Sequence, residues 1–136
     1  MNTLIDTSAI YALLDNTDNN HMAASAVWPA LVNGDDLIIV SSYTVSETIA
    51  LLHNRRGTGA VRLFVDGILP SLEIDWADYE TYSAALSTML ETEGKKGPNL
   101  TDCANLETMR RLRIHTIFAY DKHYERPGIT VIGAGG

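Results

Sequence analysis

Hydrophobic and polar residues along the chain form two alternating kinds of segment. Short apolar runs, several of them rich in Ile and Val, predict buried strands at 3–5, 36–41, 71–75, 115–120 and 129–132. Longer segments between them carry apolar residues at helical spacing and predict helices at 7–15, 19–32, 43–56, 59–69, 77–94 and 101–113. Because the two kinds alternate, the predicted fold class is α/β, with a mainly parallel sheet covered by helices on both faces.

Single residues refine the predicted helices. Pro29 should kink the second helix or mark its last turns, and Gly57 closes the third in the position that favours a left-handed cap. Thr101 or Asp102 should cap the last helix. An apolar stripe along the fifth helix is expected to face the core; its residues are Trp76, Tyr79, Tyr82, Leu86, Met89 and Leu90.

Length and composition indicate one domain over residues 1–136. The sequence has no run of 18 apolar residues and no basic stretch before an apolar region near its start, so we expect no membrane span, no secretory signal and a cytoplasmic protein. The one cysteine, Cys103, has no partner for an internal disulfide and is expected to be a small buried residue.

The charge distribution is uneven. A formal net charge of -7 argues against nucleic-acid binding, since phosphate contacts usually come from Lys and Arg. All ten Lys and Arg residues, however, lie from Arg55 onward. Any anion-binding surface must therefore be built by the second half of the chain.

Four acidic residues lie where burial is expected. Asp6 and Asp121 follow predicted strands at their carboxyl ends, and neighbouring parallel strands bring such residues to one edge of the sheet. Glu47 lies on the apolar side of a predicted helix with no basic residue within four positions, and Asp102 begins a helix whose next residues face the core. Each has a structural alternative: a cap, a turn or a distant salt bridge.

Taken together, the four acids favour a metal site. Converging carboxylates without a nearby cation repel one another, and a divalent metal compensates them. Oxygen ligands suit Mg²⁺ or Mn²⁺ rather than zinc.

Other chemistries find little support. The histidines His21, His53, His115 and His123 show no metal-type spacing and are expected to have structural or surface roles. The sequence has no GxSxG elbow of a serine hydrolase, and "RRGTGA" at 55–60 matches neither a Walker loop nor a complete dinucleotide fingerprint.

Three motifs resemble the PIN-domain family, in particular the ribonuclease toxins of VapBC toxin–antitoxin modules. They are "LIDTSAIYALLD" with Asp6, "SSYTVSETIALLHNRRG" with Glu47, and "LTDCANLETMRRLRIHTIFAYDKHYERPGI" with Asp102 and Asp121. The resemblance spans nearly the whole chain. It implies a three-layer α/β/α sandwich, one groove that holds the four acids, and one or two Mg²⁺ or Mn²⁺ ions. It also implies a homodimer and a VapB-type antitoxin that covers the groove.

This resemblance predicts a metal-dependent endoribonuclease. Asp6, Glu47, Asp102 and Asp121 are the expected catalytic residues and metal ligands, holding cations that activate water and stabilise charge on the scissile phosphate. Residues beside them are expected to orient the ligands: Thr7, Ser8, Thr101 and Asn105. Asn105 stands where similar sequences often have Ser. The expected phosphate-binding residues are Lys95, Lys96, Lys122 and Arg126.

Three alternatives stay open. An RNA-processing PIN nuclease that is not a toxin would have the same sequence features, and so would a silent scaffold that binds RNA or protein, although such a scaffold has no need of all four acids. A phosphatase with a covalent aspartyl-phosphate also begins with Asp after a first strand, but usually has a second acid two residues later, where this chain has Ser8.

Overall fold

A parallel sheet forms the centre of the molecule. The structure is a computed structural model, and it describes residues 1–133. Its strands are β1 (Thr3–Ile5), β2 (Ile38–Ser41), β3 (Glu73–Asp75), β4 (Thr116–Phe118) and β5 (Thr130–Ile132). They lie in the order β3-β2-β1-β4-β5, and every neighbouring pair is parallel. The predicted strands and their parallel arrangement are confirmed.

Helices connect the strands. They are α1 (Thr7–Leu14), α2 (His21–Val32), α3 (Ser42–Arg56), α4 (Thr58–Leu63), α5 (Tyr79–Leu90) and α6 (Leu100–Leu112). A π-helical turn (Phe64–Ile68) and a 3-10 turn (Leu69–Ser71) continue α4 toward β3, and another 3-10 turn (Lys122–Tyr124) follows β4. Among residues 1–133, no helix is long and apolar enough to cross a membrane.

Each face of the sheet has its own core, because successive residues of a strand point to opposite faces. Ile5 and Phe118 belong to the core shared with α1 to α4. Leu4 and Ile117 belong to the opposite core, beneath α6. The helix α5 packs on α6 through a smaller cluster that contains the buried Cys103. The predicted three-layer α/β/α sandwich is therefore confirmed.

Helix ends follow the sequence in most places. Pro29 lies in the last turns of α2, which continues to Val32. Gly57 ends α3 with φ 83°, a value that favours glycine. The predicted cap of α6 is wrong: Asn99, rather than Thr101 or Asp102, is the N-cap residue. Its side chain and Asp102 bond reciprocally in a capping box, an arrangement that needs Asp102 three residues inside the helix.

The predicted core stripe on α5 is wrong for most of its residues: only Leu86 and Met89 are half-buried, and Met89 packs against the cluster that contains Cys103. Trp76, Tyr79 and Leu90 are 73%, 77% and 69% exposed, whereas the helix buries Thr81 and Ala85. The face of α5 that meets α6 is thus lined by small residues, which let the two helices approach closely. The aromatic residues project from the outer side instead.

Candidate active site

The four predicted acids line one cavity at the carboxyl edge of the sheet. Asp6 follows β1, and Asp121 lies three residues beyond β4, its neighbour. The strand order reverses direction between these two strands, which is where open α/β sheets usually bind ligands. Glu47 comes from α3 and Asp102 from the first turn of α6. The cavity has a volume of about 450 Å³.

Asp6 is almost fully buried and caps α1. Its Oδ2 accepts hydrogen bonds from the Ser8 hydroxyl at 3.0 Å and, at 3.4 Å, from the Ser8 backbone N–H. Burial raises the pKa of Asp6 to about 6, and the nearby charge of Asp102 adds to that rise. The structural role expected of an Asp before a helix is therefore real, and it coexists with a place in the cavity.

Asp102 is also buried, and its carboxylate is fixed from two sides. Oδ2 accepts the backbone N–H of Asn99 at 3.0 Å, while Oδ1 lies 3.2 Å from the hydroxyl of Tyr124. Burial raises the pKa of Asp102, and the charge of Asp121 acts in the same direction. Two neighbouring carboxylates thus both resist ionisation in the absence of a cation.

Tyr124 joins the two buried acids and was not foreseen from the sequence. It is fully buried, and its Oη lies 3.2 Å from Oδ1 of both Asp6 and Asp102. Its one hydroxyl proton serves one of the two carboxylates at a time. Burial raises the pKa of Tyr124 far above its usual value, so it remains a neutral donor. The tyrosine therefore holds one oxygen of each acid in place.

Asn105 is a further hydrogen-bond partner of both Asp6 and Tyr124. Its Nδ2 donates to Asp6 Oδ1 at 3.2 Å and to Tyr124 Oη at 3.0 Å. Its Oδ1 accepts from Ser41 at 2.6 Å, and Thr44 lies within hydrogen-bond distance of both ends of the amide. The contact with Asp6 is of the kind expected for a residue that orients a metal ligand.

Asp121 and His123 form the outer part of the cluster. Asp121 Oδ1 accepts the backbone N–H of His123 at 2.8 Å, which closes the turn after β4. The ring Nδ1 of His123 lies 3.0 Å from Asp102 Oδ2 and 2.9 Å from Asp121 Oδ1. One ligand atom from each of these three residues lies within 4.8 Å of the other two. Nothing in the sequence predicts His123 as part of the site, because the histidines show no metal-type spacing.

The remaining predicted residues lie at different distances from this cluster. Glu47 is half-buried at the rim, where it lines both the acid cavity and a second one on the α5 side. Thr7 and Ser8 line the acid cavity, and Thr7 accepts a hydrogen bond from Thr48 at 3.2 Å. Thr101 lines the α5-side cavity instead, and no hydrogen bond joins it to the acids in the part of the chain that the structure describes.

The basic residues are arranged differently from the prediction. Arg55 lines the acid cavity, with its guanidinium 5.3 Å from the centre of the Tyr11 ring. The four predicted phosphate-binding residues are exposed outside that cavity: Lys95, Lys96, Lys122 and Arg126. Lys95 lies in the loop after α5 beside Asn99, which is itself at the cavity edge.

This donor set fits a divalent cation. Within residues 1–133, no Lys or Arg side chain forms an ion pair with Asp6, Asp102 or Asp121. The buried Nδ1 of His123 has no hydrogen-bond partner despite its two close carboxylate oxygens. Two buried carboxylates with raised pKa values, Asp6 and Asp102, beside a third acid and an imidazole nitrogen form a site that a metal ion can complete.

The buried Asp6 gives a test by pH. In EDTA, the folded protein keeps the Asp6 proton up to about pH 6, whereas the unfolded chain releases it near pH 3.8. The folded state therefore binds more protons between these values, and stability falls as pH rises through that window, by about 1 to 3 kcal/mol for this group. Asp6→Asn should show a smaller fall. Thermal unfolding of both proteins from pH 4 to pH 8 measures it, and equal pH slopes would contradict the burial argument.

The fold and the site together define an all-parallel α/β domain with a cluster of acids at its switch point. The family model of the PIN domain matches residues 3–129. The chain belongs to the PIN domain family.

Two solved structures share the fold. VapC20 of Mycobacterium tuberculosis, described as a Sarcin-Ricin loop cleaving toxin, aligns with a TM-score of 0.76 and 20% identity over 88% of this chain and 90% of that chain. VapBC2 from Rickettsia felis, solved bound to a DNA fragment from their promoter, aligns with a TM-score of 0.66 and 17% identity over 96% and 97%. No curated protein matches the sequence. At these identities the two structures show the fold alone.

Proposed function

We propose that this protein is a metal-dependent endoribonuclease and the toxin of a type II toxin–antitoxin pair. The observation that carries the proposal is the convergence of Asp6, Glu47, Asp102 and Asp121 on one cavity. Two of them, Asp6 and Asp102, are buried without a Lys or Arg partner among residues 1–133. Membership of the PIN domain family and the fold shared with two VapC-type proteins support it. One or two Mg²⁺ or Mn²⁺ ions complete the site in this proposal.

Each residue then has a role set by its contacts. Asp6 and Asp102 hold the cation, and Tyr124 and Asn105 fix their carboxylate orientations. Asp121 and the rim residue Glu47 complete the acidic group, with Asp121 placed to orient the attacking water. When bound, the cation supplies positive charge at the scissile phosphate and lowers the pKa of water.

Product analysis tests this chemistry. Purified protein free of any antitoxin is incubated with a pool of single-stranded and structured RNA in Mg²⁺ or Mn²⁺. Hydrolysis by an activated water should leave 5′-phosphate and 3′-hydroxyl ends, which are identified by their reactivity toward RNA ligase. Cyclic phosphate ends would instead indicate attack by the ribose 2′-hydroxyl and would contradict the proposal.

Arg55 is proposed to bind the RNA backbone at the acid cavity. The four exposed basic residues are proposed to bind it outside the cavity: Lys95, Lys96, Lys122 and Arg126. Each phosphate neutralised by a basic side chain adds about 0.7 to the salt dependence of single-strand binding. Arg55→Gln in EDTA should therefore weaken RNA binding and lower the slope of log affinity against log salt by roughly that amount. Fluorescence anisotropy at several salt concentrations measures both. Arg62→Gln, a change outside the acid cavity, is the matched control, and equal slopes in the two variants would remove Arg55 from the interface.

The proposed partner is a VapB-type antitoxin that covers the acid groove. One of the two similar structures is described as a VapBC2 complex on promoter DNA, which supports this class of partner. The proposal also locates the protein in the cytoplasm, together with its RNA target.

A homodimer is the proposed assembly, and the aromatic face around α5 is its proposed contact surface. This face contains Trp76, Tyr79 and Tyr82, which line a cavity of about 820 Å³. Exposed aromatic clusters of this kind mark protein interfaces.

Removing the aromatic side chains tests this surface. Trp76→Ala combined with Tyr79→Ser should convert a dimer of wild-type chains into monomers, because buried Trp and Tyr side chains dominate such contacts. Light scattering after size-exclusion chromatography measures the mass. Met22→Ala, an equally exposed apolar residue on α2, is the control. An unchanged mass together with weaker RNA binding would assign the face to RNA instead.

A further inference from the structure

We propose that His123 is a ligand of the divalent cation through Nδ1, and that the site consequently binds Mn²⁺ in preference to Mg²⁺. The inference rests on the proposed metal-dependent function. It adds a nitrogen donor to a set of residues that otherwise offers only carboxylate oxygens.

The position of the ring is the first reason. Nδ1 is buried and lies 3.0 Å from Asp102 Oδ2 and 2.9 Å from Asp121 Oδ1, although the side chain as a whole is 35% exposed. One ligand atom from each of these three residues lies within 4.8 Å of the other two. The imidazole therefore turns one nitrogen inward, onto the two acids, while part of the ring faces solvent.

The geometry of the contacts between Nδ1 and the two carboxylate oxygens is the second reason. Both oxygens lie within ion-pair distance of Nδ1. Neither contact has the geometry of a hydrogen bond, however, and Nδ1 has no hydrogen-bond partner in residues 1–133. A buried polar atom without a partner is costly, and a cation shared with the two oxygens satisfies all three atoms.

The local backbone holds the ring where it is. The backbone N–H of His123 bonds Asp121 Oδ1 at 2.8 Å, and the 3-10 turn that follows buries Tyr124 completely. Tyr124 in turn contacts Asp6 and Asp102. One short turn thus brings both a candidate ligand and a positioning hydroxyl to the same carboxylates.

The donor types decide which metal is favoured. Mg²⁺ demands near-ideal octahedral geometry and is held mainly by oxygen ligands. Manganese accepts mixed sets of carboxylates and histidine, as in di-manganese carboxylate proteins. A nitrogen from His123 therefore raises affinity for Mn²⁺ more than for Mg²⁺.

Electron paramagnetic resonance of the Mn²⁺-loaded protein tests the ligand directly. Electron spin echo modulation detects a ¹⁴N nucleus bound to the metal, independently of any RNA cleavage. The modulation should be present in the wild-type protein and in His21→Gln, and absent in His123→Gln. His21 is the matched control because it lies next to the acid cavity, which the preceding residue Asn20 lines. Its own Nδ1 is not directed at the acids but lies 2.7 Å from the carbonyl oxygen of Ala12.

Binding constants give the second readout. Titration calorimetry with each metal alone should show that His123→Gln weakens Mn²⁺ binding by about 10-fold or more and Mg²⁺ binding much less. Mn²⁺ that binds the wild-type protein without nitrogen modulation would overturn the inference and leave the proposed nuclease intact. Modulation that survives in His123→Gln would also overturn it. Failure of both Mn²⁺ and Mg²⁺ to bind would overturn the inference and the proposed function together.

Discussion

Asp102→Asn is expected to abolish RNA cleavage while the protein stays folded. The substitution keeps the shape of the side chain and an oxygen that accepts the Asn99 backbone N–H at the start of α6. It removes the negative charge that holds a cation. Loss of a residue that merely orients a metal ligand costs about 10- to 100-fold in affinity or activity, so loss of the ligand itself should exceed about 100-fold. Initial rates of RNA cleavage in Mg²⁺ and in Mn²⁺ measure the effect.

The stability of the same variant provides the control for this prediction. Because burial raises the pKa of Asp102, its neutral amide replacement should not destabilise the fold in EDTA. A folded Asp102→Asn protein with the wild-type cleavage rate would remove Asp102 from the catalytic group. Asp35 is an exposed acid that does not line the acid cavity, so Asp35→Asn should leave the rate of RNA cleavage unchanged.

Asn105→Leu is expected to lower the free energy of unfolding by about 3 kcal/mol or more. Leucine has the same number of side-chain heavy atoms with the same branching, so the change chiefly removes the amide hydrogen bonds. Asn105 is fully buried, and its loss leaves Asp6, Ser41 and Tyr124 each without one polar partner. A buried polar group left unpaired costs about 1 to 3 kcal/mol, and typical domains have only about 5 to 15 kcal/mol in total.

A second substitution on the same helix calibrates this result. Thr108 lies three residues further along α6 and is fully buried, but its hydroxyl has no hydrogen-bond partner in residues 1–133. Thr108→Val should therefore be neutral or slightly stabilising, since no bond is lost. Urea unfolding of both variants gives the comparison. If Asn105→Leu is no less stable than Thr108→Val, the polar network beneath Asp6 contributes little to the fold.

Much of the frame that positions the site could be predicted from the sequence. The alternation of short apolar runs with helical segments fixed the parallel sheet, because each helix must cover a sheet face before the chain returns in the same direction. The same reasoning brought Asp6 and Asp121 to one edge, since both follow neighbouring strands. Whether a residue follows a strand can be predicted from the local sequence, and folding does not change it.

Contacts that depend on turns could not be predicted in this way. Tyr124 and His123 follow Asp121 in a polar segment whose hydrophobic pattern gives no sign of burial. Their positions depend on the hydrogen bond that closes the turn on Asp121 and on the depth of the groove between β1 and α6. Both are properties of the assembled tertiary structure.

The α5 error has a different origin. Helical periodicity identifies an apolar stripe without showing what covers it. The small residues Ala85 and Ala104 let α5 approach α6 closely, so the larger aromatic residues, including Trp76 before the helix, are left on the outside. An apolar stripe predicts that a surface becomes covered, and a partner chain satisfies that prediction as well as a core does.

The most direct measurement of the central claim is RNA cleavage by purified, partner-free protein in Mn²⁺, in Mg²⁺ and in EDTA, beside Asp6→Asn under the same conditions. We expect cleavage that needs a divalent cation, stops in EDTA, resumes when the metal is restored in excess, and is lost in the variant. Cleavage that persists in EDTA, or that Asp6→Asn retains at the wild-type rate, would contradict the assignment of this acid cluster as a metal-dependent nuclease site.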